Sequence, residues 1–456
     1  MNEALARQTL DRLRAQGHQA FFVGGCVRDL LLGHEPKDFD VATSATPDEI
    51  AALFPKSDLV GAHFGVVLVK AASAQSVTGA PLGAVSSEGG AVEVATFRTE
   101  GVYHDGRRPS EVTLVSDPRL DAQRRDFTIN AMFLDPTVPP EPGLVLDFFG
   151  GQADLASRVI RCVGSPRARF QEDHLRLLRA VRLAARLEFV IEPETAAAMR
   201  AEAASLANIA AERTRDELTR ILTQPNPSRG LRLLDETGLL AIVLPEVKAL
   251  QGVEQPPEFH PEGDVWIHTL LMFDQLPSDP PATLAWGVLL HDIGKPATFT
   301  RSDRIRFNGH VDAGLEISRR ILARLKFSTG DSEQILSLVG NHMRFGDIQR
   351  MKESTVKRFL RLPRFDEHLA LHRADCLSSH GHLDNYEFAQ ERLAATPPEV
   401  LRPARLLTGA DLLALGYPQG PLYREILDAI ETAQLDGEIN THEQARALVQ
   451  ARWPRD

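Results

Sequence analysis

The chain contains few cysteines and no long apolar segment, and both features limit what it can be. Cys26, Cys162 and Cys376 are widely separated in the 456-residue sequence and show no metal-ligand spacing, which argues against a disulfide framework and fits a reducing compartment. The charged N-terminus lacks the unbroken apolar centre of a signal peptide, and no later apolar run is long enough to span a bilayer. We therefore expect a cytoplasmic protein without membrane contact.

Cationic residues are also scarce relative to acidic ones. The formal net charge is −11, from 51 Lys and Arg against 62 Asp and Glu. This balance argues against indiscriminate nucleic-acid binding, because phosphate contacts need cationic side chains. Residues 158–186 differ, since this segment is dense in arginine. The segment either helps to hold RNA or forms an ordinary solvated helical face.

The distribution of sequence patterns predicts a multidomain chain with an α/β part followed by an all-α part. Short β-branched strands and two helices indicate an α/β domain over residues 1–150. From residue 152 onward, apolar residues recur mainly at helical spacing. Changes in pattern and proline-rich breaks predict a helical neck at 151–225, a connector at 226–260, a helical domain at 261–395 and a tail at 396–456.

A glycine turn and two aspartates occur together near the N-terminus. Gly24 and Gly25 follow an apolar strand, and Arg28 lies on the next predicted helix. Glycine amides can approach phosphate oxygens closely because no Cβ intervenes, and a guanidinium adds a charge-assisted contact. Asp38 and Asp40 would share one face of a strand, and carboxylates are hard ligands for the divalent metals used in nucleotidyl transfer. The combination predicts a metal-dependent nucleotide site, whereas the aspartates alone would suit any solvated strand end.

The order of motifs resembles the bacterial CCA-adding enzyme and poly(A) polymerase family, within the polymerase-β nucleotidyltransferase superfamily. The resemblance covers about residues 20–222 in the family's order: GGCVRDLLLG with DFD, RRDFTINAM, DFFGGQADL, EDHLRLLR and ERTRDEL. It implies a nucleotidyltransferase head with a small mixed sheet, followed by a helical neck and body.

The same resemblance implies roles for individual residues. The glycine turn and Arg28 would bind the triphosphate, Arg125 would also contact the nucleotide, and Asp38 and Asp40 would hold Mg²⁺. Glu93, in the strand VEVATF, would be a third catalytic acid that activates the RNA 3′-hydroxyl. The alternative for Glu93 is a solvent-facing strand glutamate.

The EDHLRLLR segment predicts how the base is chosen. Asp173 and Arg176 are three residues apart and would share a helix face, which Arg179 and Arg182 continue. A carboxylate accepting from an exocyclic amino group, and a guanidinium donating to the adjacent ring nitrogen, suit both cytosine and adenine. Uracil and guanine present the reverse order, so these nucleotide-binding residues would admit CTP and ATP without a nucleic-acid template. A surface salt bridge is the alternative.

Two further segments bear on the head domain. The loop from Arg98 to Val112 resembles the flexible loop of family members that add adenosine, which disfavours an enzyme restricted to cytidine. Its glycines and charged residues would equally suit an idle surface loop. Residues 71–90 are small, polar and glycine-rich, and predict a flexible excursion between strands.

The C-terminal half contains a second constellation, which resembles the HD phosphohydrolase pattern. Its candidate ligands are His268, His291, Asp292, His310, His342 and Asp375. The resemblance implies that His268, His291, Asp292 and Asp375 hold one divalent transition metal. His310 and His342 would then lie near the scissile phosphate or a second ion. A metal-bound water would attack a phosphoester, and Lys295 would contact phosphate.

These observations predict a tRNA nucleotidyltransferase that acts on the tRNA 3′ end with CTP and ATP, and a second, phosphoester-hydrolysing site. Two alternatives stay open. One is a poly(A) polymerase or an enzyme that adds only adenosine, and the other is an HD hydrolase whose nucleotidyltransferase part only binds RNA. The sequence leaves the oligomeric state undetermined.

Overall fold

The computed structural model describes residues 2–59, 65–71, 90–101, 106, 111–139, 141–258 and 260–454. The predicted excursion at 71–90 and the loop between Arg98 and Val112 lie largely outside these ranges. The chain forms two compact units, Met1–Pro245 and Glu246–Asp456. No helix in the described part of the chain combines the length and apolar character needed to cross a membrane. The finer domain limits given above stay predictions.

A mixed seven-stranded sheet forms the N-terminal part of the first unit. The strands of this unit are β1 (Ala20–Val23), β2 (Asp40–Thr43), β3 (Ser57–Leu59), β4 (Val66–Lys70), β5 (Ala91–Thr96), β6 (Arg98–Glu100), β7 (Val112–Leu114), β8 (Phe133–Asp135), β9 (Leu144–Leu146), β10 (Val159–Ile160) and β11 (Val190–Ile191). The sheet has the order β3-β4-β5-β2-β1-β8-β9. Its neighbouring strands are antiparallel except β2 and β5, which run parallel.

Helices flank the sheet and make up most of the first unit after residue 150. They are α1 (Asn2–Ala15), α2 (Gly25–Leu31), α3 (Pro47–Leu53), α4 (Pro118–Gln123), α5 (Gly151–Ala156), α6 (Pro166–Glu172), α7 (Arg176–Leu187), α8 (Pro193–Glu202), α9 (Ala211–Thr223), α10 (Pro227–Glu236) and α11 (Leu240–Val243). Short 3₁₀ helices cover Thr128–Asn130 and Ala203–Asn208. The change from strands to helices near residue 150 agrees with the prediction.

The first helix shows why this part of the sequence folds as it does. Ala6, Leu10 and Leu13 recur at helical spacing and are fully buried, and α1 packs against the sheet. Gly17 follows the helix with φ of 85°, a conformation that glycine adopts without a steric penalty. The apolar spacing and this glycine together account for the extent of α1.

The predicted strand around the two aspartates is shorter than its pattern indicated. β2 begins only at Asp40, so Asp38 precedes the strand and does not share a strand face with Asp40. Phe39 is nevertheless buried, with 5% exposure, and its ring lies 5.2 Å from that of Phe22. The alternating pattern therefore predicted the strand position of Asp38 wrongly.

The second unit is almost entirely helical. Its elements are α12 (Pro245–Lys248), which begins at the last residue of the first unit, α13 (Val265–Asp274), α14 (Ala282–Leu290), α15 (Lys295–Thr298), the paired strands β12 (Thr300–Arg301) and β13 (Ile305–Arg306), α16 (His310–Arg324), α17 (Thr329–Asn341), α18 (Glu353–Leu360), α19 (Phe365–Leu377), α20 (Asp384–Ala395), α21 (Pro398–Leu401), α22 (Gly409–Ala414), α23 (Pro421–Leu435) and α24 (His442–Arg452). The buried Trp286 on α14 packs edge-on against Phe327. This packing helps to fix α14, whose C-terminal end supplies candidate site residues.

Candidate active sites

The first candidate site lies where β1 ends and α2 begins. Gly24 connects them with φ 78° and ψ −133°, a conformation that other residues adopt only at a cost. The antiparallel pairing of β1 with β2 places Asp40 opposite Val23. The parallel pairing of β2 with β5 places Glu93 directly beside Asp40. Main-chain hydrogen bonding thus brings the glycine turn and two carboxylates to one place.

The electrostatics of Asp40 show that several charges converge there. Burial, with Glu93 and Asp38, raises its pKa from the usual 3.8 to about 6, and Arg125 opposes this rise. Asp38 itself is exposed. A divalent cation would stabilise the ionised Asp40 carboxylate among these neighbouring acidic groups. The donor set therefore fits a hard metal ion.

Arg125 lies against the glycine turn. A Cβ added to Gly24 would lie 3.6 Å from Arg125 Nη1 and 3.9 Å from Asp40 Oδ2. Arg125 Nη2 donates to Asp121 Oδ2 at 2.9 Å, and its guanidinium lies over the Phe133 ring. The structure therefore brings Arg125 and the aspartate cluster together.

Arg28 occupies a more buried position than the sequence suggested. Its side chain is 4% exposed, and it donates to Asp29 Oδ1 at 2.7 Å and to Asn130 Oδ1 at 2.8 Å. Asn130 in turn donates to Asp126 Oδ1, and Arg179 donates to Asp126 Oδ2 at 2.6 Å. The network links α2 to α7 and holds Arg28 beside Gly25, where an added Cβ would lie 3.5 Å from Arg28 Nη2.

The predicted helix face shared by Asp173 and Arg176 does not exist. Asp173 lies in the break between α6 and α7, outside both helices. Its carboxylate accepts from Leu175 N at 3.1 Å and from Arg213 Nη2 at 3.0 Å. Arg176 begins α7 and donates to Glu172 Oε2 at 2.6 Å. The two side chains therefore have separate partners, because the Asp173 side chain caps the backbone at the start of α7.

The other two arginines of the row are also engaged by carboxylates. Arg179 pairs with Asp126, and Arg182 Nε donates to Glu217 Oε2 at 2.7 Å. Sequence reasoning missed Glu217 and Arg213 as partners. Both lie on α9, four residues apart, within the ERTRDEL segment that carried the family resemblance. Helical spacing in that segment was the available signal.

One described residue of the predicted flexible loop contacts this region. The backbone N–H of His174 donates to the carbonyl of Gly106 at 3.2 Å. A Cβ added to Gly106 would lie 2.2 Å from His174 Nε2. Gly106 is therefore packed against the residue that follows Asp173.

The second candidate site, in the other unit, brings all six predicted histidines and aspartates together. Asp292 is at its centre: its Oδ2 lies 3.1 Å from His291 Nε2, and its Oδ1 lies 3.8 Å from His310 Nε2 and 3.7 Å from His342 Nε2. His268 Nε2 lies 3.2 Å from Asp375 Oδ1, and ligand atoms of His268, His291 and Asp292 all lie within 4.8 Å of one another. α13, α16 and α19, with the residues that follow α14 and α17, supply these side chains.

Three of the histidines are held in the same way. His291, His310 and His342 each direct Nδ1 at the carbonyl three residues earlier, at 2.9, 2.9 and 2.7 Å. A carbonyl only accepts, so each Nδ1 carries a proton and each Nε2 faces the cluster. Burial lowers the pKa of His342 to about 4, which keeps the ring neutral near pH 7. Neutral imidazoles with free Nε2 atoms suit a transition metal.

The centre of the cluster contains polar atoms that lack protein partners. Within the described residues, His291 Nε2 and Asp292 Oδ1 are buried without a hydrogen bond. Such atoms are costly in a protein interior unless a ligand or ion satisfies them. Lys295 Nζ lies 2.6 Å from Asp292 Oδ2 and donates to Gln255 Oε1 at 2.6 Å. The donor set fits a divalent metal, with Lys295 adjacent to it.

Sequence reasoning missed two residues beside this cluster. His260 and Glu262 lie in the turn before α13 and form a third potential metal-binding group with His268. Their segment, EQPPEFHPEGD, was interpreted only as a proline-rich boundary. The signal was a histidine and a carboxylate two residues apart, closely preceding a predicted ligand.

Models of known protein families match the parts of the chain that contain the two candidate sites. Residues 20–161 match the model of the poly A polymerase head domain, and 188–251 match the probable RNA and SrmB-binding site of polymerase A. Residues 264–380 match the HD domain. The fold and the two sites define a nucleotidyltransferase joined to an HD domain, and both kinds of domain depend in general on divalent metals.

Relatives that align along nearly the whole chain show which kind of nucleotidyltransferase this chain resembles. A CCA-adding enzyme of Geobacillus sp. (strain WCH70) is 32% identical over 95% of this chain and 93% of its own. An A-adding tRNA nucleotidyltransferase of Deinococcus radiodurans is 35% identical over 96% of both. The crystal structure of Bacillus stearothermophilus CCA-adding enzyme in complex with CTP has a TM-score of 0.72 at 28% identity, covering 98% of this chain and 97% of that one. The chain belongs to this family of tRNA nucleotidyltransferases, and the predicted family and fold class are confirmed.

Proposed function

We propose that this protein adds the 3′-terminal CCA to tRNA from CTP and ATP, without a nucleic-acid template. The observation that carries the proposal is the register of β2 and β5, which places Asp40 beside Glu93 at the Gly24 turn. Family membership supports tRNA as the acceptor. It favours this function over a poly(A) polymerase and over an RNA-binding hydrolase.

The residues at the turn have complementary tasks in this reaction. Asp38 and Asp40 would hold Mg²⁺, which when bound neutralises charge on the phosphates and lowers the pKa of the attacking hydroxyl. Glu93 would accept the proton of the RNA 3′-hydroxyl. The amides of Gly24 and Gly25 would bind the triphosphate, while Arg125 and Arg28 balance its charge. The 3′-oxygen attacks the α-phosphorus and pyrophosphate leaves.

Base selection would use Asp173 and Arg176, supported by Arg179 and Arg182. The Asp173 carboxylate accepts from Arg213, so an incoming cytosine or adenine amino group would share that carboxylate with Arg213. Uracil and guanine would leave buried polar groups unpaired, which disfavours them.

A second candidate is the addition of adenosine alone. Its support is the Deinococcus radiodurans relative, an A-adding tRNA nucleotidyltransferase aligned over 96% of both chains. Labelled CTP and ATP incorporation on tRNA transcripts ending in CCA, CC, C and the discriminator base distinguishes the candidates. We expect extension of all three truncated transcripts to CCA. Extension of only the CC-ended transcript would establish the A-adding candidate, and no extension of any would reject both.

We further propose that the second unit hydrolyses phosphoesters with a divalent transition metal. His268, His291, Asp292 and Asp375 would hold this metal, and His310, His342 and Lys295 would line the substrate phosphate. The support is the convergence of three imidazole Nε2 atoms on the buried Asp292. Hydrolysis of bis(p-nitrophenyl) phosphate by metal-free protein supplied with Ni²⁺, Mn²⁺, Co²⁺ or Zn²⁺ tests it. No hydrolysis with any of these ions would count against the proposal.

A further inference from the structure

The turn that precedes α13 places a carboxylate behind a candidate metal ligand. Glu262 Oε1 lies 2.7 Å from His268 Nδ1 and 2.9 Å from His260 Nδ1. His268 is fully buried, and the His260 ring packs edge-on against it at 5.0 Å between centroids. Neither His260 nor Glu262 belongs to the six-residue HD pattern.

The imidazole of His268 lies between two carboxylates with different tasks. Nε2 points toward Asp375, at 3.2 Å, on the side of the other candidate ligands. Nδ1 points the opposite way, toward Glu262. The Nδ1 contact has hydrogen-bonding distance, although its direction falls outside normal hydrogen-bond geometry. Because a carboxylate only accepts, Glu262 favours a proton on Nδ1 and Asp375 favours one on Nε2. A metal ion that displaces the Nε2 proton would leave the Nδ1 proton facing Glu262.

A backbone carbonyl orients the rings of the other three histidines, but His268 lacks such a contact within the described residues. Those three use the carbonyl three residues earlier. The equivalent carbonyl for His268 is that of Val265, which accepts from Thr269 Oγ1 at 2.8 Å inside α13. His268 therefore needs another acceptor to fix its ring, and Glu262 is the carboxylate within reach.

We propose that Glu262 is a positioning residue of the HD site, and that it holds His268 with Nε2 directed at the metal. His260 donates to the same oxygen and steadies the carboxylate. The inference rests on the metal site proposed above. Partners of this kind typically contribute 10- to 100-fold to metal affinity, so about that loss is expected without Glu262.

The test is the affinity of metal-free full-length protein for Ni²⁺, measured by calorimetric titration. Glu262→Ala should weaken Ni²⁺ binding by about 10- to 100-fold. Glu262→Gln should weaken it less, because the amide oxygen remains an acceptor. Glu258→Ala is the matched control, since Glu258 is an exposed carboxylate in the same segment, and it should bind Ni²⁺ as wild type does. Thermal unfolding followed by tryptophan fluorescence verifies folding of each variant, because Trp266, Trp286 and Trp453 all belong to the second unit.

A second measurement separates positioning from a general structural role. With Zn²⁺ bound, ¹⁵N NMR of the histidine rings should show His268 protonated on Nδ1 in wild type and a mixture of tautomers in Glu262→Ala. Wild-type Ni²⁺ affinity in Glu262→Ala, or an unchanged tautomer, would overturn the inference. If His291→Ala also left Ni²⁺ binding unchanged, the metal site itself would be refuted, so the two failures are distinguishable.

Discussion

The raised pKa of Asp40 predicts that the residue needed for nucleotide addition lowers the stability of the folded protein. Its pKa is raised from 3.8 to about 6 by burial and by Glu93 and Asp38. One pKa unit corresponds to 1.36 kcal/mol, so the folded protein without metal loses up to about 3 kcal/mol when Asp40 is ionised. The folded state binds this proton more tightly than the unfolded state. The group's contribution to stability therefore falls as the pH rises from about 4 to about 6 and stays low above that range.

Asp40→Asn removes the charge and keeps the shape. We expect it to abolish nucleotide addition and to raise the free energy of unfolding at pH 8 by up to about 3 kcal/mol in EDTA. At pH 5 the gain should be about half as large, because part of the wild-type population is then protonated. The amide can also donate to Glu93, which a carboxylate cannot.

The assay must report on the first unit. Trp266, Trp286 and Trp453 all belong to the second unit, so tryptophan fluorescence would miss the effect. Hydrogen exchange by mass spectrometry, corrected for intrinsic rates, should show slower opening of β2 and β5 at pH 8, by up to about 100-fold. Asp11→Asn, at an exposed carboxylate on α1, should leave exchange unchanged. Equal protection in wild type and Asp40→Asn at pH 8 would refute the reasoning.

Four further changes test other parts of the account. Asp173→Ala should relax discrimination against UTP and GTP by about tenfold in a four-nucleotide competition. Arg213→Ala should relax it in the same direction but by less. Unchanged selectivity in both variants would show that the base is read elsewhere. Gly24→Ala, which strains the backbone and crowds Arg125, should lower the kcat of nucleotide addition by about 100-fold. Gly17→Ala is the control: Gly17 also has a positive φ, but a Cβ there would meet open space, so its kcat should stay at the wild-type value. Deleting residues 103–108, which lie largely outside the described ranges, should reduce adenosine addition on CC-ended tRNA far more than cytidine addition. An equal loss of both additions would contradict a role of this loop in switching between bases.

Much of both sites could be predicted because their chemistry is carried by short motifs. The glycine turn specifies its own backbone conformation, so the position of Gly24 followed from local sequence. The six HD residues are widely spaced, and only the resemblance to a known pattern allowed them to be grouped. Their convergence on Asp292 depends on helix packing, which periodicity alone does not determine.

The errors arose where tertiary pairing or side-chain capping decides the boundary of an element. β2 can begin only opposite Val23, the last residue of β1, so Asp38 has no strand partner despite the alternating pattern. Asp173 fits the helical spacing of the arginines, yet its carboxylate caps Leu175 N in the break between two helices. Aspartate often takes such positions, and the spacing rule ignores that preference. Glu262 was missed because its proline-rich segment indicated only a boundary.

The central claim is that two independent active sites occupy different parts of one chain. The most direct test uses two assays: incorporation of CTP and ATP on tRNA that lacks the CCA end, and hydrolysis of bis(p-nitrophenyl) phosphate. Wild type, Asp38→Ala and His291→Ala are measured in parallel. The account predicts that Asp38→Ala loses incorporation and keeps hydrolysis, and that His291→Ala does the reverse. Loss of both activities from either change in folded protein, or incorporation by Asp38→Ala at the wild-type rate, would contradict it.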